Sequence, residues 1–202
     1  DDLFTVYSFE PMLQRDGEER IVFSEDSLAE HEDELLDRLP NLSRAPMPAW
    51  REAARNAADF KTEADLLNRL LATGMAVEDV AHVLDYFKVG SGRYRQGRID
   101  INTAPYEALL TLDSITPERA AEIIRLRNSV DPEWRWTPLW LTIVGPFTTL
   151  EYGQFADQIT AGSWQYRVRL QAGLMDPEQE GDALRNQVVL EVVVDLSGPR
   201  PR

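Results

Sequence analysis

The chain has no cysteine and only two histidines among its 202 residues. The lack of cysteine excludes disulfides, a thiol nucleophile and a cysteine zinc site, and it is neutral about the cellular compartment. No apolar run is long enough to cross a bilayer, and no signal peptide opens the chain. The glycine patterns of phosphate-binding loops, dinucleotide folds and hydrolase nucleophile elbows are also missing.

Positive charge is scarce. There are 21 lysines and arginines against 35 acidic residues, which gives a formal net charge of −14. This balance opposes binding to a phosphate backbone or to an anionic membrane surface. It is compatible with cations, basic partners or plain solubility. Hydrophobic residues make up 43% of the chain, which is typical of a globular protein with one large domain or two small ones.

The rest of the sequence is organised around residues 97–105, Gly-Arg-Ile-Asp-Ile-Asn-Thr-Ala-Pro. The alternation of isoleucine with polar residues predicts an extended start. Asn102 and Thr103 are predicted to turn the chain and to accept hydrogen bonds from the first free N–H groups of a helix over 106–112. Pro105 is placed in the first turn of that helix, where a missing N–H costs nothing.

A second helix is predicted directly after a break at residues 113–115. Thr116 is its cap, Pro117 its first residue, and apolar residues recur at helical spacing up to Arg127. Helical hairpins that bind DNA place glycines at this turn, so that backbone N–H groups can approach a phosphate. Here those positions are Ser114 and Thr116, and no lysine lies nearby. The pattern favours a structural role, with nucleic-acid binding as the alternative.

Four other helices are predicted upstream. One starts at Ser27, with Ser27 and Glu30 as a capping box, and stops at Pro40. A second covers residues 50–59. Thr62 caps a third over 63–72, and the fourth covers 76–87.

Extended segments are predicted near both ends of the chain. Residues 3–8 are aromatic and β-branched, and residues 166–172 and 188–196 alternate between apolar and polar or mixed positions. The two later strands are predicted to pair antiparallel, and residues 3–8 to join them. The fold class is therefore α+β, with a helical region inserted into an antiparallel sheet.

The central motif resembles the second SAM-like repeat of the general secretion pathway K proteins, the large minor pseudopilins of type II secretion. The resemblance includes Ala120-x-x-Ile123-Ile124-x-x-Arg127, Trp140-Leu141, and the run 155–163 ahead of Tyr166-Arg167-Val168. It covers the second half of the chain well and the first half loosely. It implies a pilin-like sheet and four parts, which are a first strand over 1–17, one repeat with extra helices over 18–96, a second repeat over 97–150 and closing strands over 151–202.

The resemblance implies a non-enzymatic subunit without cofactors at the tip of a periplasmic pseudopilus. Its partners would be the I- and J-class minor pseudopilins. Its anchor would be an amino-terminal helix in the inner membrane of a Gram-negative bacterium, and that helix is missing from this chain. The residues that mark the motif are structural: Asn102, Thr103, Ala104, Pro105, Ser114 and Thr116.

The helical region has signs of an internal duplication. Residues 20–24 match 98–102, and residues 60–67 match 136–141. The two SAM-like repeats of the family would account for this similarity.

Other residues with chemical potential have plainer interpretations. His31 and His82 lack ligand partners at metal spacing and are predicted to be structural. Trp134, Trp136 and Trp140 are predicted to form a buried wedge, with an aromatic partner patch as the alternative. The acidic run 30–37 is predicted to be a solvated helix face. The loop 176–182 is the better calcium candidate by geometry, and no metal site is assigned.

Overall fold

A computed structural model describes residues 9–39, 47–175 and 184–195, and the structural statements that follow concern these ranges. The chain combines helices with short two-stranded sheets, which confirms the α+β class. It divides into two compact units, residues 1–162 and 163–202. The boundary between the units therefore follows Gly162.

The first unit is mainly helical. The α-helices of the described ranges are α1 (Glu25–Arg38), α2 (Met47–Arg55), α3 (Glu63–Ala72), α4 (Val77–Tyr86), α5 (Tyr106–Leu109), α6 (Pro117–Arg127), α7 (Trp140–Ile143) and α8 (Thr149–Gly153). Single 3₁₀ turns cover Ala57–Asp59 and Ala156–Gln158. None of the helices in the described part of the chain is long and apolar enough to cross a membrane.

The strands are short except at the carboxyl end. They are β1 (Phe9–Pro11), β2 (Ile21–Val22), β3 (Phe87–Lys88), β4 (Tyr94–Gln96), β5 (Ile99–Asp100), β6 (Ile159–Thr160), β7 (Gln165–Met175) and β8 (Leu184–Asp195). β1 pairs antiparallel with β4, and β7 pairs antiparallel with β8. The antiparallel pairing of the last two strands was predicted. The predicted strand at residues 3–8 lies outside the described residues.

One arrangement occurs twice in the first unit. β2 pairs parallel with β3, and α1 to α4 lie between them in the chain. β5 pairs parallel with β6, and α5 to α8 lie between them. In both halves one more hydrogen bond continues the strand pairing beyond the two strands. The N–H of Phe23 donates to the Lys88 carbonyl at 2.9 Å, and the N–H of Ile101 donates to the Thr160 carbonyl at 3.0 Å. Each half is therefore a two-residue strand, four helices and a closing strand.

Two predicted helix starts are confirmed, and one is wrong. Thr62 accepts a hydrogen bond from the N–H of Asp65 at the start of α3, and Thr116 with Pro117 starts α6. The cap of α1 is Ser24, not Ser27, because the hydroxyl of Ser24 accepts the N–H of Ser27 at 3.1 Å. Ser27 is the third helical residue of a serine–serine capping box, in which its own hydroxyl accepts the N–H of Ser24.

Two other helices are shorter than predicted. The helix expected over 50–59 is α2, which starts at Met47 and ends at Arg55, and a 3₁₀ turn follows it. The helix expected over 106–112 ends at Leu109. Hydrogen bonds from Thr111 to Ala108 and from Leu112 to Leu109 then tighten the chain into the hairpin.

A continuous core runs through both halves of the first unit. Its largest fully buried side chains include Trp50, Trp140, Phe87, Phe155, Leu66 and Leu67. Trp140 is fully buried, while Trp134 and Trp136 are half-buried against the core. The predicted wedge is thus one buried indole with two others at its edge.

The second unit is described as a hairpin. One face of it is apolar, with Tyr166 opposite Val194 and Leu170 opposite Leu190. These four side chains are between 37% and 53% exposed. A two-stranded hairpin with an uncovered apolar face is only marginally stable alone.

Candidate functional site

The central motif forms a tight turn rather than a helix cap. The N–H of Asn102 donates to Asp100 Oδ1 at 3.0 Å, and the Thr103 hydroxyl donates to Asp100 Oδ2 at 2.8 Å. Helix α5 begins after Pro105 and has no side-chain cap. The prediction that Asn102 and Thr103 cap this helix is therefore wrong, because Asp100 arranges the turn and both residues bond elsewhere.

The Asn102 side chain joins three distant segments. Its Nδ2 donates to the carbonyl of Arg135 at 2.9 Å and to that of Ala161 at 2.6 Å. Its Oδ1 accepts the indole N–H of Trp140 at 3.1 Å. We call Asn102 with these three partners the Asn102 junction. The carboxamide therefore uses both of its N–H donors and its oxygen acceptor.

Two arginines hold the backbone on either side of the junction. Arg98 donates to the Ile159 carbonyl at 3.1 Å, beside the β5–β6 pair. Arg127, near the end of α6, donates to the Ala104 carbonyl at 2.7 Å. Ala104 is buried, and Pro105 is exposed at the cap position of α5. The motif is consequently fixed to both the hairpin helix and the closing strand.

The hairpin between α5 and α6 has a left-handed backbone conformation at a position where such turns usually have glycine. Ser114 adopts a φ of +62°, in the left-handed region that favours glycine. Thr116 accepts the N–H of Arg119 at 3.3 Å. The Glu118 carboxylate accepts hydrogen bonds from its own N–H and from the Thr116 hydroxyl, and these bonds lower its pKa. A carboxylate therefore lies in the first turn of α6, where its negative charge opposes the approach of a phosphate.

Arg119, the arginine nearest the hairpin, bonds to other groups of the protein. Arg119 donates to the Pro146 carbonyl at 2.6 Å and pairs with Glu151 at 3.2 Å. Its guanidinium also lies 5.0 Å from the ring centre of Phe147. This residue links α6 to the start of α8. It is therefore committed inside the protein, not presented to a polyanion.

A half-buried ionic cluster lies where the two halves meet. Glu63, at the start of α3, pairs with Arg20 at 3.4 Å, with Arg95, and with Arg98 at 3.6 Å. Glu10 of β1 lies 3.8 Å from Arg98. Burial lowers the pKa of Arg95 to about 9, with repulsion from Arg98 as the next cause. Arg20 directly precedes β2 of the first half and Arg98 directly precedes β5 of the second, so Glu63 connects the two halves through charge.

The two histidines have structural surroundings. His31 lies 3.0 Å from the Tyr86 hydroxyl, and that hydroxyl donates to Glu34 at 2.8 Å. The ring centre of His82 is 5.3 Å from that of Trp136 and 6.4 Å from that of Trp134. Burial lowers the pKa of His82. These contacts agree with the structural interpretation of both histidines.

The residues that the structure describes include no candidate metal site. No group of three or more histidine or acidic side chains there has the geometry to hold a metal ion. In the acidic run of α1, Glu32 pairs with Arg51 at 2.9 Å and Glu34 with Arg38 at 2.8 Å. The calcium candidate loop 176–182 lies outside the described residues.

Two structural roles were not predicted from the sequence: the hydrogen bonds of Asn102 and the ion pairs of Glu63. The sequence predicts Asn102 as a cap of the neighbouring helix, and it does not single out Glu63. A buried indole at Trp140 requires an acceptor, and this need is the signal that could have identified Asn102. No comparable signal existed for Glu63, because its three arginine partners come from segments whose approach depends on the tertiary fold.

Comparison of the chain with protein-family models, with curated proteins and with solved structures gave no significant match.

Proposed function

We propose that this protein is a non-enzymatic assembly subunit, a minor pseudopilin of the K class in type II secretion. It would act at the tip of a periplasmic pseudopilus, together with the I- and J-class minor pseudopilins. Its helical unit would cap the fibre and block the addition of further subunits. In the full-length protein, an amino-terminal helix would hold it in the inner membrane.

The observation that carries the proposal is the Asn102 junction. The sequence segments behind the resemblance are the motif at 98–105, the tryptophan segment around Trp140 and the run 155–163. Asn102 bonds to Trp140 and to Ala161, so one side chain joins all three segments. A chance likeness in three separate segments gives no reason for them to meet at one residue. A shared architecture does.

The doubled arrangement also supports the proposal. We take the two halves, β2 to β3 and β5 to β6, as the two SAM-like repeats that the resemblance implies. Both place an isoleucine at the start of the first strand, Ile21 and Ile99, directly after an arginine. The antiparallel pair β7–β8, with exposed apolar side chains such as Leu170 and Leu190 on one face, suits the closing strands of a pilin-like sheet.

The test is assembly with purified partners. The protein is mixed with soluble parts of the I- and J-class pseudopilins of the same organism at micromolar concentration, and the mixture is analysed by size-exclusion chromatography with light scattering. We expect a ternary complex of one copy each. Failure to form any complex would count heavily against the proposal.

The second candidate function is nucleic-acid binding through the α5–α6 hairpin, and the left-handed Ser114 is the observation that favours it. The bonded Glu118 carboxylate and the committed Arg119 count against it. A titration with duplex and single-stranded DNA at several salt concentrations distinguishes the two functions. Phosphate contacts would make the affinity fall steeply with salt.

A further inference from the structure

A groove of about 500 Å³ lies at the amino-terminal end of α1, beside the end of α2. We call it the α1–α2 groove. Its apolar lining includes Val22, Phe60, Ala57, Ala58 and Val89, and its polar rim includes Asp26. The side chain of Val22 is 42% exposed there, so apolar surface reaches solvent. A groove of this size accommodates a large side chain with its neighbours.

Aromatic rings form part of the wall. The rings of Phe23 and Phe60 are stacked, with their centres 6.3 Å apart and their planes at 26°. Phe60 is half-buried and lines the groove, so a third ring can extend the stack from the solvent side.

The charged side chains that line the groove are Glu25, Asp26 and Arg55, so the acidic side chains exceed the basic one by a single charge. Arg55 pairs with Glu25 at 2.9 Å, so these two charges largely offset each other. Asp26 is exposed and forms no ion pair with the parts of the chain that the structure describes. A cationic group beside the groove would therefore gain a partner, most strongly at low salt.

The second half of the protein has a filled corner at the corresponding place. Ser24 follows β2 by two residues, and Asn102 follows β5 by two residues. The Asn102 side chain spans the space between the Arg135 and Ala161 carbonyls. Ser24 is shorter, and its hydroxyl caps α1. The groove of the first half thus lies where a long polar side chain closes the second half.

We infer that the α1–α2 groove docks a segment of a partner protein in which an aromatic side chain is followed closely by a lysine or arginine. The ring would stack on Phe60 over Val22, and the cation would pair with Asp26. This inference does not depend on the pseudopilin proposal. It can fail or succeed whether or not the I- and J-class complex forms.

The experiment measures fluorescence anisotropy with the full chain and a fluorescein-labelled peptide, Gly-Ser-Trp-Ser-Lys-Lys-Gly. We expect saturable binding below about 1 mM at low salt, as for a weak, transient contact. Replacing the peptide tryptophan with alanine should weaken binding by about tenfold or more, because aromatic anchors dominate such contacts. Replacing both lysines with glutamate should weaken it about threefold or more.

Protein variants locate the site. Ala58 is exposed on the groove wall, so Ala58→Trp should fill the groove and weaken binding at least about tenfold without disturbing the core. Asp26→Lys should weaken binding a few-fold at low salt only. The matched control is Asp33→Lys, the same change at an exposed position of α1 outside the groove lining. The inference is overturned by absence of saturable binding, by unchanged binding to Ala58→Trp, or by equal binding of the glutamate peptide.

Discussion

The indole N–H of Trp140 donates a 3.1 Å hydrogen bond to the side-chain oxygen of Asn102, although 37 residues separate them in the chain. Trp140 is fully buried, so its N–H has no access to water as a substitute partner. Asn102 holds its oxygen in place by donating from its nitrogen to two backbone carbonyls. The indole N–H therefore has an acceptor whose position is held by two further hydrogen bonds, those of Asn102 to the Arg135 and Ala161 carbonyls.

Replacing Asn102 with alanine should therefore destabilise the first unit strongly. The change leaves the indole N–H of Trp140 and two carbonyls without their partners, and we expect a loss of about 2–3 kcal/mol in the free energy of unfolding. Asn102→Asp should cost at least as much, because a carboxylate cannot donate to the Arg135 and Ala161 carbonyls. Urea denaturation followed by circular dichroism measures both values.

The control for this prediction is Asn128→Ala, since Asn128 is exposed at the end of α6. It should change the unfolding free energy by less than about 0.5 kcal/mol. Equal losses for the two alanine variants would contradict the role assigned to the Asn102 junction.

Glu63 should be the most sensitive charge in the protein. Glu63→Gln leaves Arg20, Arg95 and Arg98 close together without their shared anion, and we expect a loss of about 3 kcal/mol. Glu52→Gln serves as a control, since Glu52 forms an exposed 3.8 Å pair with Arg69 that should contribute less than about 1 kcal/mol. Denaturant midpoints compare the two variants, and a small effect at Glu63 would show that solvent replaces its partners.

Gly145 is required by the turn after α7. A Cβ atom at this position would lie 2.5 Å from the carbonyl oxygen of Leu141, and Leu141 is fully buried. Gly145→Ala should therefore displace the turn and cost at least about 2 kcal/mol. Gly162→Ala is the matched change, because a Cβ there meets nothing within 4 Å. Thermal unfolding should separate the two variants by several degrees. Similar melting temperatures would contradict the steric argument.

His82 should make stability depend on pH near neutrality. Burial lowers its pKa in the folded state, while the nearby Asp79 acts in the opposite direction. In the window below its ordinary pKa of about 6.5, the unfolded chain binds a proton that the folded state resists. Stability from this residue is therefore present above about pH 6.5 and is lost as the pH falls.

The measurement for His82 is the denaturant midpoint between pH 5 and pH 8. His82→Gln should reduce the change in the free energy of unfolding between pH 5 and pH 8 by up to about 1 kcal/mol. The effect is limited to this size because the imidazole is only half-buried. Asn128→Ala, which removes no titratable group, is the comparison variant and should keep the slope of the wild type. A slope that survives in His82→Gln would assign the effect to other groups.

Local patterns predicted several elements of both units. The cap at Thr62, the start of α6 at Thr116 and the pairing of β7 with β8 follow from rules that act within a few residues. The cap of α1 was misplaced by three residues because Ser24 and Ser27 both satisfy the local rule. A contact with the preceding strand distinguishes them: the Ser27 hydroxyl donates to the carbonyl of Val22, at the end of β2 and five residues earlier in the chain.

The candidate site was less predictable. Asn102 satisfies the cap rule locally, and only its distance to Arg135, Trp140 and Ala161 reveals its actual partners. Glu63 receives its arginines from segments that precede and follow α3, and no spacing in the sequence records this approach. Ser24 lines the α1–α2 groove at the position that Asn102 occupies in the second half, and this correspondence becomes visible only when the two halves are compared.

The parallel pairing of the short strands has a consequence for synthesis on the ribosome. β2 finds its partner only when residues 87–88 have emerged, and β5 must wait for residues 159–160. The first half can close early, yet Glu63 still lacks Arg95 and Arg98 at that moment. In nascent chains that stop before residue 95, Glu63 should thus have Arg20 but neither Arg95 nor Arg98 as a partner, so that the ionic cluster of the first half is completed only as the second half begins to appear.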